Sequence, residues 1–391
     1  MVNDKSPIQS PKSRYINKTT SLFLYARAGG RCEFCNEYLL EHPTSGVPGN
    51  FAEKAHIFGF KEKSARGNER GKPKGSAINK VDNLILLCPP CHHLIDNVEP
   101  ENHSVEDLKK LKSTHEARVY DQTGISENLR SIPLVIKSLI AGRVVDVSSW
   151  EMQEAAKPHY LMMRDRVDVD LTRIPDSPDE HYWQTASKAI NREMDRLDRL
   201  LDAAGKPTRI SVFGLGSIPL LVYIGTKLSD KREVGLYQRH RDPESWCWKE
   251  GEGSTQYTTT CISDMQAEDQ VALLVNLSGK NTMDTVLNTE GILKNTTIYE
   301  LTLDGQQPNT MIMNTRGDLE RFTAEYNKAL ATIRENHTKA SCLHLFPAVP
   351  APVAITLGRS RLPKADLPLV VYDYNRQTDG FVRTMEISHD T

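Results

Sequence analysis

With 391 residues, the chain is long enough for two or three domains, each with its own core. Hydrophobic residues make up 38% of it, and no apolar run approaches the roughly 20 residues that cross a bilayer, which excludes a helical membrane protein. The net charge of −2 says nothing by itself about partners, but its distribution along the chain does.

Met1 to Lys18 is polar and lacks the apolar segment of a secretory signal. Seven cysteines, four of them in C-x₂-C pairs, point to metal thiolates in a reducing cytosol rather than disulfides, so a cytoplasmic location is expected. Cys247, Cys261 and Cys342 are left over and read as ordinary, partly buried thiols.

In chain order, Thr19-Thr20-Ser21 predicts a helix start, with Leu22, Phe23, Tyr25 and Ala26 as its apolar face and Gly29-Gly30 as its end. The turn Cys32-Glu33-Phe34-Cys35 follows, then a loop containing Pro43 and Pro48. Residues 51–58 read as a strand carrying His56. Residues 61–80 form a Gly-rich loop with Lys61, Lys63, Arg66, Arg70, Lys72, Lys74 and Lys80, a pattern suited to a phosphate backbone.

Leu84 to Leu87 predicts a second strand, which turns through Cys88-Pro89-Pro90-Cys91 into a helix. Cys88 and Cys91 complement Cys32 and Cys35, and two such pairs fit a four-thiolate structural zinc site. His92 and Asp96 are spaced i, i+4, so on a helix they share a face and can hold a second, catalytic cation. His93, His103 and His115 read as structural. Ser104 to Asp107 predicts a capped helix through Leu108, Leu111 and His115, broken at Thr123-Gly124. A further helix is predicted over 126–141, bridging the domains.

The second half alternates strands with helices, which predicts α/β units on a largely parallel sheet. Strands are expected over 209–214, 233–237, 271–277, 297–303 and 342–346, with helices over 219–228 and 319–336. Gly214-x-Gly216 alone is a weak dinucleotide signal, since a third glycine and an acidic residue after the next strand are missing.

The order strand, His56, loop, Asn83, strand, C-x₂-C, His92, helix resembles the HNH endonuclease family over residues 20–120. The four cysteines match its zinc-stabilised variant. That resemblance implies a ββα-metal fold in which His56 is the general base, Asn83 orients its imidazole, and His92 with Asp96 holds one Mg²⁺ or Mn²⁺. Ala55 occupies a position where many members carry a metal ligand, and Glu53 is the candidate substitute.

Leu343 to Phe346, the Pro347-to-Gly358 stretch and Leu369 to Asp373 resemble the SAVED domain, a sensor of two fused CARF-like, Rossmann-type halves, over residues 150–385. The whole chain then looks like the HNH–SAVED effectors of bacterial cyclic-oligonucleotide antiphage signalling (CBASS). The expected fold is an α+β zinc-stabilised ββα-metal domain (1–120), a helical linker (121–150) and an α/β SAVED domain (151–391). The resemblance implies double-stranded DNA as substrate, a cyclic di- or trinucleotide ligand (a cGAMP-like dinucleotide favoured), self-association and no membrane.

For that ligand, Gly216 and Ser217 at a helix start, Arg239, Ser278 and Lys364 are expected to meet phosphates or polar edges, and Trp246, Trp248 and Phe346 to stack on bases. Two other functions fit parts of the sequence. One is a non-catalytic, zinc-containing DNA-binding regulator with a nucleotide-sensing domain; the other makes the C-terminal half a metabolic Rossmann enzyme.

Overall fold

The computed structural model describes residues 14–140, 143–144, 147–174, 180–204, 208–228, 232–263, 270–292, 294–375 and 380–388. The chain divides into two compact units, Met1–Ile125 and Ser126–Thr391.

In the N-terminal unit, helix α1 (Lys18–Ala28) is capped by Asn17, whose side chain accepts from the Thr20 amide at 2.7 Å. It ends at Gly29 and Gly30, whose φ values of 63° and 67° suit residues without a Cβ. The helix buries Leu24 and Ala28, an i, i+4 stripe. Leu22 and Phe23 lie off that stripe and are 66% and 52% exposed, so the predicted apolar face was misplaced.

Strand β1 (Glu53–His56) pairs antiparallel with β2 (Leu84–Leu87), and His56 stands opposite Leu84. Helix α2 (Pro89–His93) starts directly after Cys88, with Pro89 and Pro90 in its first turn where their missing N–H groups cost nothing. It continues through a π turn, Leu94–Val98, to helix α3 (Val105–Thr123), which Ser104 caps by accepting from Asp107. All of β2 is buried, in a small core shared with Leu24, Ile57, Ile78, Ile95, Val105 and Leu108.

In the C-terminal unit, the helix predicted over 126–141 does not form. That segment is strand β3 (Arg130–Lys137), buried from Ser131 to Ile136. Pro133 cannot sit inside a helix, and Ile132, Val135 and Ile136 are β-branched. A strand covered on both faces reads as a continuous apolar run, which is how it imitates a helix in sequence. It is therefore part of a domain core and not a linker.

After a short hairpin, β4 (Leu139–Ile140) with β5 (Arg143–Val144), come α4 (Ser149–Ala156), β6 (Tyr160–Leu161), β7 (Val167–Asp170), the long α5 (Glu180–Ala203), β8 (Arg209–Gly214), α6 (Ile218–Leu228) and β9 (Val234–Tyr237). They build a wholly parallel sheet in which β6 and β7 flank one side of β3, with β8 and then β9 on the other. A second hairpin, β10 (His240–Arg241) with β11 (Glu244–Ser245), leads into the other half.

That half contains β12 (Tyr257–Ser263), β13 (Val271–Asn276), α7 (Met283–Leu287), β14 (Thr297–Leu303), α8 (Arg316–Asn336), β15 (Leu343–Ala348), α9 (Ala351–Arg359), β16 (Leu369–Asn375) and β17 (Gly380–Ile387). The sheet order is β12-β14-β13-β15-β16-β17, parallel in its middle and antiparallel at both edges. The unit is thus two Rossmann-like halves in series, as expected.

The halves meet where α6 crosses α9, and glycine makes the crossing possible. A Cβ on Gly225 would fall 2.0 Å from the Ile355 carbonyl oxygen, and one on Gly358 would fall 1.9 Å from that of Val222. Each helix follows a central strand of its own sheet, so the contact is reciprocal between equivalent elements.

Candidate functional site

The four cysteine thiols are brought together as the spacing predicts. The Sγ atoms of Cys32, Cys35, Cys88 and Cys91 all lie within 4.8 Å of one another. Cys35 and Cys88 are 3.8 Å apart, the edge expected of a tetrahedron with Zn–S bonds of about 2.3 Å. Burial pushes the Cys88 thiol up to about 11 and raises the Cys91 thiol as well. The donor set and its dimensions fit structural zinc.

Glu33, inside the first turn, was not singled out in the sequence. Its carboxylate is buried, accepts from the Leu86 amide at 2.9 Å and lies 3.6 Å from Lys112, so it ties the zinc turn to β2 and α3. Burial pushes it up to about 7.

His56, His92 and Asp96 line one cavity of about 210 Å³, with Arg14, Phe60 and Ser64 on its walls. His56 Nε2 meets Asn79 Oδ1 at 2.9 Å. The Asn79 amide is oriented independently, because its Nδ2 donates to the Tyr15 carbonyl. His56 therefore carries its proton on Nε2 and keeps the lone pair on Nδ1. Burial pushes its pKa below the ordinary histidine value, against the pull of Asn79 and with help from the nearby Arg14 charge. Neutral imidazole is the form a general base needs.

Asn83, expected to orient that ring, does something else. Its Oδ1 accepts from the Phe58 amide at 2.9 Å, and its Nδ2 donates to the carbonyls of Ile78 and Phe58. It staples the chain leaving β1 to the chain entering β2. The ring contact belongs to Asn79, and the two residues stand four apart in one Asn-rich turn of sequence.

His92 Nε2 lies 3.2 Å from Asp96 Oδ2, so the helix does place the predicted pair together. The other nitrogen, Nδ1, is bonded to Glu53. The hydrogen bond to Asp96 and then that to Glu53 raise the His92 pKa over the opposing effect of burial. Nε2 and the Asp96 carboxylate are the two donors expected to hold a divalent cation. Glu53 sits on the opposite nitrogen and thus orients the imidazole instead of replacing the ligand missing at Ala55.

Asp96 is also held by Arg66. This arginine, in the left-handed region at φ 57°, is buried and donates to the carbonyls of Ile57 and Ile95, each at 2.9 Å, and to Asp96 Oδ1. Burial would raise the Asp96 carboxyl, but bonds from His92 and Arg66 keep it below the usual carboxylate range. Lys72 is likewise turned inward, onto the Phe60 and Gly67 carbonyls. The cations of the 61–80 loop that face solvent are Lys61, Lys63, Arg70, Lys74 and Lys80. His93 is exposed, and His103 and His115 bond to Glu99 and the Ala28 carbonyl, the structural roles expected of them.

In the C-terminal unit a cleft of about 420 Å³ opens beyond the carboxyl ends of strands from both halves. Leu215, Arg239, His240, Arg241 and Lys249 reach it from one half; Ser278, Met311 and Pro350 reach it from the other. Of the residues expected at a ligand, Arg239 and Ser278 are there. Arg239 is already paired with Glu151 and Glu244, each at 3.0 Å, which leaves Arg241 and Lys249 as the freer cations.

Gly216 and Ser217 lie between β8 and α6, one and two residues past cleft-lining Leu215. Trp248 donates its indole N–H to the Leu236 carbonyl and lines a neighbouring cavity of about 310 Å³ with Lys157 and Arg316. Three expectations fail. Trp246, 1% exposed, packs edge-on against Phe213 in the core. Phe346 is fully buried and stacks on Tyr372. Lys364 is on the surface, outside the cleft. A periodicity argument cannot separate an aromatic that fills a core from one that faces a ligand. Cys342 is half-buried as expected, whereas Cys247 and Cys261 are exposed.

Two family models match separate parts of the chain. Residues 32–99 match the family model described as HNH endonuclease, and residues 193–387 match the SAVED model, SMODS-associated and fused to various effectors sensor domain. Among solved structures, the Acinetobacter baumannii Cap4 SAVED/CARF-domain containing receptor is similar to the chain. Its structure with the cyclic trinucleotide 2'3'3'-cAAA is 17% identical with a TM-score of 0.41, covering 73% of this chain and 61% of that one. The structure with 3'3'3'-cAAA gives 17%, a TM-score of 0.42, 73% and 61%; a third structure of the receptor gives 15%, 0.39, 73% and 60%. The match thus spans about three fifths of the receptor's length. No curated protein matches the chain. Among the described residues no helix is long and apolar enough to cross a membrane.

Proposed function

We propose that this chain, an HNH endonuclease domain fused to a SAVED sensor domain, hydrolyses double-stranded DNA when a cyclic oligonucleotide occupies the sensor. The observation that carries the reading is the shared cavity of His56, His92 and Asp96, with the His56 ring fixed in the tautomer that leaves Nδ1 unprotonated.

In this reading His56 Nδ1 takes a proton from water, the water oxygen bonds to phosphorus, and the P–O bond to the leaving deoxyribose oxygen breaks. Asn79 holds the ring in line and Arg66 fixes Asp96 against the helix. His92 Nε2 and Asp96 would hold Mg²⁺ or Mn²⁺, which supplies Lewis-acid stabilisation of the charge developing on the phosphate. Lys61, Lys63, Arg70, Lys74 and Lys80 supply the sequence-independent attraction to duplex DNA.

The cleft between the two Rossmann-like halves is the ligand site, with Arg241, Lys249 and Ser278 toward phosphates. A cyclic dinucleotide of the cGAMP type is the favoured ligand. The biological role is that of a bacterial, cytoplasmic antiphage effector. Ala55, a buried residue with no donor atom at a frequent ligand position, favours the alternative of a non-catalytic, zinc-containing DNA-binding regulator.

One assay decides between them: supercoiled plasmid with Mg²⁺ and the full-length protein, across a panel of cyclic di- and trinucleotides. Linear and fragmented DNA are expected only with Mg²⁺ and an activating nucleotide together, and none from His56→Ala. Absence of cleavage with every nucleotide tested overturns the nuclease reading, and undiminished cleavage by His56→Ala overturns the assignment of His56 as the base.

A further inference from the structure

The nuclease cavity contains a cationic side chain whose charge bears on His56 but whose N–H fork none of the roles above uses. Arg14 lines the cavity with His56, His92 and Asp96. Its guanidinium carbon lies 5.7 Å from the centroid of the Phe60 ring, and the same ring packs against His56 at 5.6 Å between centroids. Phe60 thus lies between Arg14 and the His56 base on the cavity wall, in contact with both.

The backbone that presents Arg14 is tied to the base itself. Asn79, whose Oδ1 accepts from His56, donates through Nδ2 to the Tyr15 carbonyl at 3.3 Å. Ile16 packs against the core of the unit. One amide therefore fixes the position of the base and of the segment carrying the arginine.

Lys54 also lines the cavity, but its ammonium donates to Ser21 Oγ at 3.0 Å. Among the described residues no carboxylate forms an ion pair with Arg14. An arginine stacked on an aromatic ring keeps its N–H fork in the plane of the guanidinium, available for two oxygens at once. Negative charge on a phosphate's non-bridging oxygens is the complement of that fork, and the reaction leaves charge to be stabilised there.

We propose that Arg14 binds the phosphodiester being cleaved through its non-bridging oxygens. The inference rests on the nuclease reading and extends it to a residue before the family's zinc and ββα elements.

The test uses the full-length chain with Arg14→Ala and Arg14→Lys. Under the conditions in which the unsubstituted protein cuts plasmid, Arg14→Ala should cut on the order of 10²-fold more slowly, with an unchanged melting temperature. Arg14→Lys, which keeps charge and loses the fork, should recover part of that loss. In a His56→Ala background, binding of a 20-base-pair duplex should show a log–log salt slope smaller by about one when Arg14 is also replaced. Cleavage by Arg14→Ala within about twofold of the unsubstituted rate, or an unchanged salt slope, overturns the proposal and leaves the nuclease reading standing. If the unsubstituted protein cuts no DNA with any nucleotide, the nuclease reading fails and duplex binding alone judges Arg14: a reduced slope supports a phosphate contact, and an equal slope or no duplex binding overturns it.

Discussion

The hydrogen bonds that Asn79 makes with His56 and with the Tyr15 carbonyl together decide which nitrogen of His56 accepts a proton. Asn83, four residues on, bonds only to backbone, on both sides of the β1–β2 connection. Their substitutions should separate cleanly. Asn79→Ala should slow cleavage by roughly 10- to 100-fold, since a loose imidazole loses alignment, while thermal unfolding stays nearly unchanged. Asn83→Ala leaves a buried amide and two carbonyls without partners and should cost about 1–3 kcal/mol of domain stability. The pH profile supplies an independent check. Burial holds His56 below the ordinary histidine value, so kcat/KM should rise with pH through a limb centred below that value. The Asn79 bond favours the charged ring, so Asn79→Ala should move the limb to still lower pH. If Asn83→Ala, and not Asn79→Ala, moves it, the orienting role belongs to Asn83 after all.

At the scale of elements, what was legible in the sequence is what local spacing determines. The two C-x₂-C turns, the i, i+4 pair on the helix and the alternation of strands with helices are all short-range patterns, and each is found where it was expected. The losses share a cause: they depend on what covers an element from outside. Strand β3 reads as a helix until both its faces are known to be covered, and Trp246 and Phe346 read as stacking surfaces until the packing of Phe213 and Tyr372 is seen. Arg66 and Lys72 look like DNA contacts in a basic loop, although their donors are used by internal carbonyls. The α6–α9 crossing lies beyond sequence reading for the same reason, because Gly225 and Gly358 pass as ordinary mid-helix glycines. Backbone oxygen at about 2 Å from each absent Cβ means that the helices must separate to admit a methyl group. Gly358→Ala should therefore destabilise the C-terminal unit by about 1–3 kcal/mol despite alanine's better helix propensity. Chemical denaturation that shows a neutral or stabilising effect would mean the crossing relaxes without cost.

For the whole molecule, the division of labour constrains how the chain is controlled. The candidate base, candidate cation ligands and cysteine cluster all lie within residues 1–125, and the proposed nucleotide cleft lies within residues 126–391. On the proposed reading, a nuclease with no need for a ligand would cut its host's DNA constantly, so restraint by the nucleotide-binding unit is the control to be expected. One HNH site acts on one strand, and severing a duplex is simplest with two sites brought together. Nucleotide binding therefore has a natural output in self-association, provided that the ligand binds the assembled state more tightly than the free one. By linkage, the nucleotide concentration that raises the sedimentation coefficient should equal the one that switches on plasmid cleavage. Arg241→Ala, which removes a cation from the cleft, should shift both curves to higher concentration together, by about tenfold for a lost charge-assisted hydrogen bond. Lys364→Ala, outside the cleft, should shift neither. His56→Ala should assemble normally and cut nothing. Activation with no change in molecular mass would remove assembly from the mechanism, and equal cleavage with and without nucleotide would remove the gate itself.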